Sequence, residues 1–436
     1  MKKQHTLALL LLAGLALSAC SSDDDAVQSE PQSPNEVKTY HATTVLSLGG
    51  DTRALSLDGT TLNATWATSE KVYVLKEGTS TGSMSPTTSG SATADLAGEL
   101  TGSFAAGNSV TLRFPRAEVS YTGQDGTLET IAEKYDYAEL TTTVKTVSGS
   151  NITIGNGVLE NKQAIVKLTF SQAISNLAIS SSALAYPVTV KPAPNSTVLY
   201  LALPIQTSGA ATYTFTVING DKYCSVTKSY TLENGNFYGA TLTLSNWEDA
   251  YVEIGDIKWA KMNIGAASET DYGSYFAWGE TEEKSQYLWA TYTFNPIGDG
   301  ETFTKYNSTD GKTTLEAGDD AATANWGADW RMPTLDDFFG TLLNNTTHEW
   351  TTINGVNGMK FTSTSDDTKY IFLPAAGLFN KYGYRNTYFY WSSSLDLYHL
   401  YYCGRRLYFE SSGFCSMANG DCSRYCGLLV RAVKSN

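Results

Sequence analysis

Ala164-Ile165-Val166-Lys167-Leu168-Thr169-Phe170 alternates apolar and polar side chains with the two-residue period of a β-strand. Runs of the same kind recur on both sides of it: Val72-Tyr73-Val74-Leu75, Val110-Thr111-Leu112-Arg113-Phe114, Val198-Leu199-Tyr200-Leu201-Ala202-Leu203 and Tyr213-Thr214-Phe215-Thr216-Val217. Asn219-Gly220-Asp221 and Glu233-Asn234-Gly235-Asn236 supply the backbone freedom that hairpins and tight connections need. No convincing helical pattern interrupts the runs between Tyr40 and Leu244. Strands at this spacing without helices favour antiparallel sandwiches, so the expected fold is mostly β.

The ends and totals narrow the class. Lys2 and Lys3 precede an apolar run from Leu7 to Leu17, which closes on Leu17-Ser18-Ala19-Cys20; residues 1–19 read as a signal peptide rather than a transmembrane helix. No later stretch is apolar enough to span a bilayer, so membrane contact is expected through a lipid anchor only. The acidic run Asp23-Asp24-Asp25 and a Ser, Pro, Gln and Glu-rich tract make residues 20–39 a flexible tether, because such a tract cannot bury enough apolar surface to fold. A formal charge of −14 argues against nucleic acid and anionic lipid as partners. Low charged content with 37 glycines and 27 tyrosines describes a polar, extracellular protein, and its length fits two or three domains.

The tetrapeptide ending at Cys20 resembles the lipobox of bacterial lipoproteins, which implies a diacylglyceryl group on Cys20, and the acidic run after it resembles the surface-export signal of Bacteroidota lipoproteins, which implies a surface-exposed outer-membrane lipoprotein. Thr52-Arg53-Ala54-Leu55, Thr65-Trp66-Ala67, Glu70-Lys71-Val72-Tyr73-Val74, the Ala164 to Phe170 strand and Leu232-Glu233-Asn234-Gly235-Asn236-Phe237-Tyr238 together resemble fimbrillin-like lipoproteins of Bacteroidales. That resemblance implies two tandem β-sandwiches, over residues 40–160 and 161–246. Some members of the family assemble into pili by strand insertion after processing at an arginine near the first strand, and Arg53 stands in the matching region. A lone arginine at a strand start is also an ordinary solvated residue.

Composition changes at Asn246-Trp247-Glu248-Asp249, beyond which tryptophans are frequent. Trp259-Ala260-Lys261-Met262-Asn263, Tyr275-Phe276-Ala277-Trp278-Gly279-Glu280, Trp330-Arg331-Met332-Pro333-Thr334, Leu373-Pro374-Ala375-Ala376-Gly377, Tyr390-Trp391-Ser392-Ser393-Ser394 and Gly427-Leu428-Leu429-Val430-Arg431 resemble, in order, the major-paralogue domain first noted in Fibrobacter. Residues 247–436 are therefore expected to form an α+β domain similar to the C-type lectin fold in its formylglycine-generating-enzyme-like branch. Thr334 is placed to cap a helix with Asp336 and Asp337 in its first turn, and Leu335, Phe338, Phe339, Leu342 and Leu343 recur at helical spacing toward a core. Trp259, Trp278, Trp330 and Trp391 read as core. Asp319 and Asp320 read as a helix cap rather than a cation site.

No enzyme is expected. Nothing in the sequence activates Ser392, Ser393 or Ser394 as a nucleophile, and no catalytic motif accompanies the cysteines. Cys403, Cys415, Cys422 and Cys426 lack zinc-site spacing; outside the cytoplasm a disulfide among them is open, with undetermined connectivity. No metal or cofactor is expected.

From Tyr382 to Gly427 the chain concentrates nine tyrosines and four cysteines with arginines and serines, the composition of selected binding surfaces. Tyr384, Arg385, Tyr388, Tyr398, His399, Tyr401, Arg405, Arg406, Tyr408, Arg424 and Tyr425 are the candidate contacts, by stacking and charge-assisted hydrogen bonds, for an extracellular protein or glycan. Between Leu395 and Gly427 only Glu410 and Met417 fall outside the residues that codons ending in cytosine encode. That restriction resembles the variable regions written by diversity-generating retroelements at the ends of lectin-fold receptors. The expected function is adhesion or ligand binding at the cell surface; the alternative is a pilus anchor or tip subunit joined to other pilus subunits by strand addition.

Overall fold

The computed structural model describes residues 38–48, 56–58, 61–63, 65–380, 383–385, 388–397, 402–418 and 422–435; the signal peptide, Cys20, most of the tether and Arg53 lie outside them. The protein is mostly β, with 48% strand and 8% helix.

The strand Lys38–Leu48 turns Tyr40, Ala42, Thr44 and Leu46 inward and the residues between them outward. One edge pairs antiparallel with Thr93–Gly102, from Lys38 opposite Gly102 to Ser47 opposite Thr93. The other edge pairs in parallel, His41 to Thr43 with Asn151 to Thr153 and Leu46 to Leu48 with Gly157 to Leu159. Gly157–Asn161 also meets Ala138–Ser148, so the eight-stranded sheet closes on itself around Trp66, Val74, Met84, Leu100, Leu112 and Ile154. The parallel pairs depart from the expected antiparallel pattern. They are possible because all the intervening strands serve as the long connection that parallel neighbours require.

The opening strand Ala164–Ile174 lies between Ser196–Leu203, antiparallel, and Phe237–Leu242, parallel. Ala164, Val166, Leu168 and Phe170 pack with Leu199 and Leu201 against Leu177, Ile179, Phe215 and Val217 of a facing five-stranded sheet. Ile165 points the other way and is equally buried, among Tyr121, Ile131, Tyr135, Tyr137 and Ala202. Burial on both faces accounts for the unbroken apolar start of this strand. The second contact is sealed by two buried amides. Gln124 accepts from the Ala202 N–H at 2.8 Å and donates to the Ala202 carbonyl at 2.9 Å, while Gln163 accepts from the Tyr121 hydroxyl and the Tyr137 N–H, each at 3.0 Å. Buried amides persist only when bonded in this way.

Beyond Asn246, Ile257–Ala260 pairs with both Tyr251–Ile254 and Val433–Ser435, bringing distant parts of the sequence into one sheet. Two further three-stranded sheets, Thr346–Ile353 with Val356–Ser363 and Tyr370–Pro374, and Tyr388–Leu395 with Gly404–Phe409 and Cys415–Ala418, and the pair Leu378–Asn380 with Gly383–Arg385 lie around two cores. Trp259, Trp278, Trp330 and Trp391 are all fully buried. Thr334 and Asp337 cap each other: the Asp337 N–H donates to the Thr334 hydroxyl at 3.1 Å, and the Asp337 carboxylate accepts from the Thr334 N–H at 2.6 Å. Phe338 and Leu342 reach the core as expected, but Phe339 is 60% exposed. Residues Asp337–Leu342 form a π-helical turn, and its wider winding carries Phe339 off the apolar row. Asp320 caps Ala321–Trp326 through the N–H groups of Ala322 and Thr323, at 2.9 and 3.0 Å, and also accepts from Met332.

This region is braced on the preceding one by contacts scattered along their boundary. The Trp330 indole donates to the Gly220 carbonyl at 3.0 Å, the Ala250 N–H to the Asp221 carbonyl at 2.7 Å, and the Thr216 hydroxyl to the Ala267 carbonyl at 2.5 Å; Lys434 pairs with Asp221 and Lys191 donates to the Ala324 carbonyl.

Candidate ligand-binding face

In the sheet of Tyr388–Leu395, Gly404–Phe409 and Cys415–Ala418, Tyr388 stands opposite Phe409, Phe389 opposite Tyr408, Tyr390 opposite Leu407 and Trp391 opposite Arg406. Tyr408 in turn faces Ser416, and Phe409 faces Cys415. Paired residues share a face, so Tyr388, Tyr390, Leu407, Phe409 and Cys415 turn to one core while Phe389, Tyr408 and Ser416 turn away from it. At its Trp391 and Arg406 end the second face is covered by the other core, which Phe389 also meets; toward Tyr408 and Phe414 it opens. Phe389 and Tyr408 are half-buried, and Phe414 is 55% exposed.

The rings form a row. Phe389 and Tyr408 have centroids 5.2 Å apart, and Tyr408 and Phe414 6.3 Å apart, within the range of favourable aromatic contacts. The buried Arg406 guanidinium lies 4.6 Å from the Phe389 centroid. The Tyr408 hydroxyl donates to the Glu410 carboxylate, which also accepts from the Ser412 hydroxyl at 3.2 Å. The bond to Glu410 holds the Tyr408 hydroxyl at about 12, so it stays a protonated donor.

Of the residues expected to make contacts, Tyr408 has a place in this row. Tyr388 belongs to the inner face, where it packs 5.3 Å from Trp350 and 5.7 Å from Phe409. Arg405 lies 3.7 Å from the buried Asp396, its side chain 12% exposed. Tyr384 and Arg385 sit on the strand Gly383–Arg385, and Tyr398, His399 and Tyr401 lie outside the described residues.

Arg406, Arg424 and Tyr425 correct the expectation, for all three are buried. Arg424 donates to the Lys305 carbonyl at 3.2 Å and to the Tyr306 carbonyl, with its guanidinium 4.3 Å from the Phe303 centroid and 5.1 Å from that of Trp278. Burial pushes its pKa down. Tyr425 meets Trp289 edge-on at 4.7 Å. The chain past Cys422 turns back between the Trp278 and Tyr402 segments, bonding to both, which takes these side chains inside. Phe389 and Phe414 fall outside the tyrosine and arginine composition of the segment; strand parity with Tyr408 is the signal that finds Phe389.

Ser392, Ser393 and Ser394 serve the frame: their hydroxyls bond the Arg405 carbonyl, the Pro333 carbonyl and the Leu335 N–H. Cys403, Cys415 and Cys426 carry free thiols in this structure. Cys415 belongs to a different core from Cys403's neighbour Cys422 and from Cys426. Burial raises the Cys403 and Cys415 thiols to about 12. Among the described residues no group of three or more His, Cys, Asp or Glu is placed to hold a metal ion.

No protein-family model and no curated protein matches the chain. Among solved structures, it is similar to a candidate cell adhesion protein from Bacteroides fragilis NCTC 9343, with 12% identity over 48% of this chain and 97% of that one and a TM-score of 0.26. A score this low leaves the functional reading to the geometry.

Proposed function

We propose that this is a surface-attached binding protein whose C-terminal region engages an extracellular protein or glycan. The observation that carries the reading is the open row of Phe389, Tyr408 and Phe414. Rigid rings in tilted and edge-on contact give apolar area at little entropic cost, and the Tyr408 and Glu410 groups at their rim add directional polar contacts. In this reading residues 247–436 are a lectin-like domain of the major-paralogue kind, residues 40–160 and 161–246 a fimbrillin-like stalk, and Cys20 the lipid anchor at the outer membrane. Tyr384, Arg385, Tyr398, His399 and Tyr401 join the face by their place in the sequence. No reaction is part of it. The test is an array of glycans and surface proteins probed with the full chain and with a Tyr408→Ala, Phe414→Ala double variant. Binding lost by the folded double variant supports the face; undiminished binding defeats it.

A second reading, a filament subunit assembled by strand addition, is favoured by the strand Lys38–Leu48, which is paired along both edges. Its release after a cut at Arg53 would leave Thr93–Gly102, Asn151–Ile154 and Gly157–Asn161 without that partner, a groove that another chain's strand would fill. Protein cut at Arg53 that stays monomeric in sedimentation would exclude this reading.

A further inference from the structure

A cavity of about 270 Å³ lies where all three parts of the chain meet. Thr122 to Asp125 line it from the first, Asn176, Ala178, Thr189 and Lys191 from the second, and Ser274, Phe276, Glu283, Asn325 and Trp326 from the third. It is separate from the Phe389, Tyr408 and Phe414 row, none of which lines it.

Its chemistry is one-sided. Glu283 accepts from the Tyr275 N–H at 3.1 Å and from the Ser274 hydroxyl. Asn325 spends its amide N–H groups on the Thr281 and Ala321 carbonyls, at 3.0 and 2.8 Å, which leaves its oxygen as an acceptor. Glu282 adds a second carboxylate and Asp125 a third whose oxygens already accept from Thr127 and Thr130, while the single lining lysine, Lys191, donates to the Ala324 carbonyl. Phe276 and Trp326 supply aromatic wall. Acceptors, excess negative charge and ring faces suit a compact cation.

We propose that this junction cavity binds a small primary ammonium compound, with Glu283 as the charged anchor. Such a ligand would touch all three parts of the chain and hold them in register. The titratable and charged groups around Glu283 are Asp125 from the first part, Tyr186 and Lys191 from the second, and Glu282 and Tyr287 from its own. Burial raises the Glu283 carboxyl to about 7. An ammonium ion binds its ionised form, so affinity rises with pH through that value and falls below it.

The experiment is calorimetric titration of the full chain with 3-amino-1,2-propanediol and with glycerol, its neutral counterpart, at pH 6 and pH 8. The amine is expected to bind about tenfold more tightly at pH 8 than at pH 6 and glycerol not to bind. Glu283→Gln should weaken the amine by about tenfold or more and abolish the pH dependence. Equal affinity for amine and glycerol, an amine affinity independent of pH, or no binding of the amine would each overturn the assignment. The wild-type comparison holds even where the variant fails to fold.

Discussion

The guanidinium of Arg431 donates to the side-chain oxygen of Asn263 at 2.8 Å, and both residues are wholly buried. Three more guanidinium hydrogens go to the carbonyls of Ala260, Lys261 and Phe372, at 2.9, 2.8 and 2.7 Å. Asn263 in turn donates to the Tyr272 carbonyl at 2.9 Å and the Tyr390 hydroxyl at 3.1 Å. One cation thus ties the sheet of Ile257–Ala260 and Val433–Ser435 to the Tyr370–Pro374 strand of another sheet. Removing it leaves a set of buried acceptors without donors, each costly. Arg431→Met should destabilise the protein by about 3 kcal/mol or more, measured by urea unfolding.

Frame and face should separate cleanly. Tyr408→Ala and Phe414→Ala remove partly exposed rings, and each should cost about 1 kcal/mol or less. Arg424→Leu strips the donors from the Lys305 and Tyr306 carbonyls inside the core and should cost about 2–4 kcal/mol. Thermal denaturation of the three variants decides it; an Arg424→Leu protein as stable as Phe414→Ala would return Arg424 to the surface.

Two glycines inside the tyrosine-rich segment are fixed by their neighbours rather than by backbone angle. A Cβ on Gly427 would come within 2.7 Å of the Tyr287 ring, and one on Gly404 would overlap the Trp278 indole. Because both rings are buried and cannot withdraw, Gly404→Ala and Gly427→Ala should each lower stability by about 2 kcal/mol. Wild-type stability in either variant would show that the rings can move.

Glu283 gives a pH dependence with a definite sign. Its carboxyl is raised from 4.5 to about 7 by burial, so the folded protein holds a proton there that the unfolded chain has released. The stability it contributes is full below about 4.5 and is lost as pH rises through about 7. Glu283→Gln, which cannot ionise, should therefore gain on the wild type between pH 5 and pH 8 when unfolding is followed without added ligand. A constant difference between the two proteins across that range would show that Glu283 does not titrate there.

If the segment from Leu395 to Gly427 is rewritten at adenines, the fold limits what can survive. Arg406, Leu407, Phe409, Cys422, Arg424 and Tyr425 are core, whereas Tyr408, Ser412, Phe414 and Ser416 have room to change. Sequencing the locus in many isolates should find a near-identical template repeat and a reverse transcriptase gene nearby, with surviving substitutions concentrated at the second set. Neither repeat nor polymerase at the locus would end the retroelement hypothesis.

Much of the β framework was legible because period-two alternation is a local signal, and Val166, Leu168 and Phe170 point where it says. The helix after Pro333 was legible through Thr334 and Asp337. Phe339 was not, since a π-helical turn is invisible to a count of threes and fours. The binding face was legible only in part. Composition marks Tyr408 and Arg424 alike, and what separates them is strand parity in one case and a fold-back of the chain in the other. Arg431 offered no signal of its role, because its acceptors are backbone carbonyls from segments far away in sequence.

The contacts across the boundary fall at three places: the turn Gly220-Asp221, which meets Trp330, Ala250 and Lys434; Thr216, which meets Ala267; and Lys191, which meets Ala324. A boundary bonded at several separated points resists torsion as well as bending, as a single linker cannot. The aromatic row therefore has a fixed aim relative to the rest of the molecule, and a pull on anything bound there is shared across the seam instead of being carried by one strand of polypeptide.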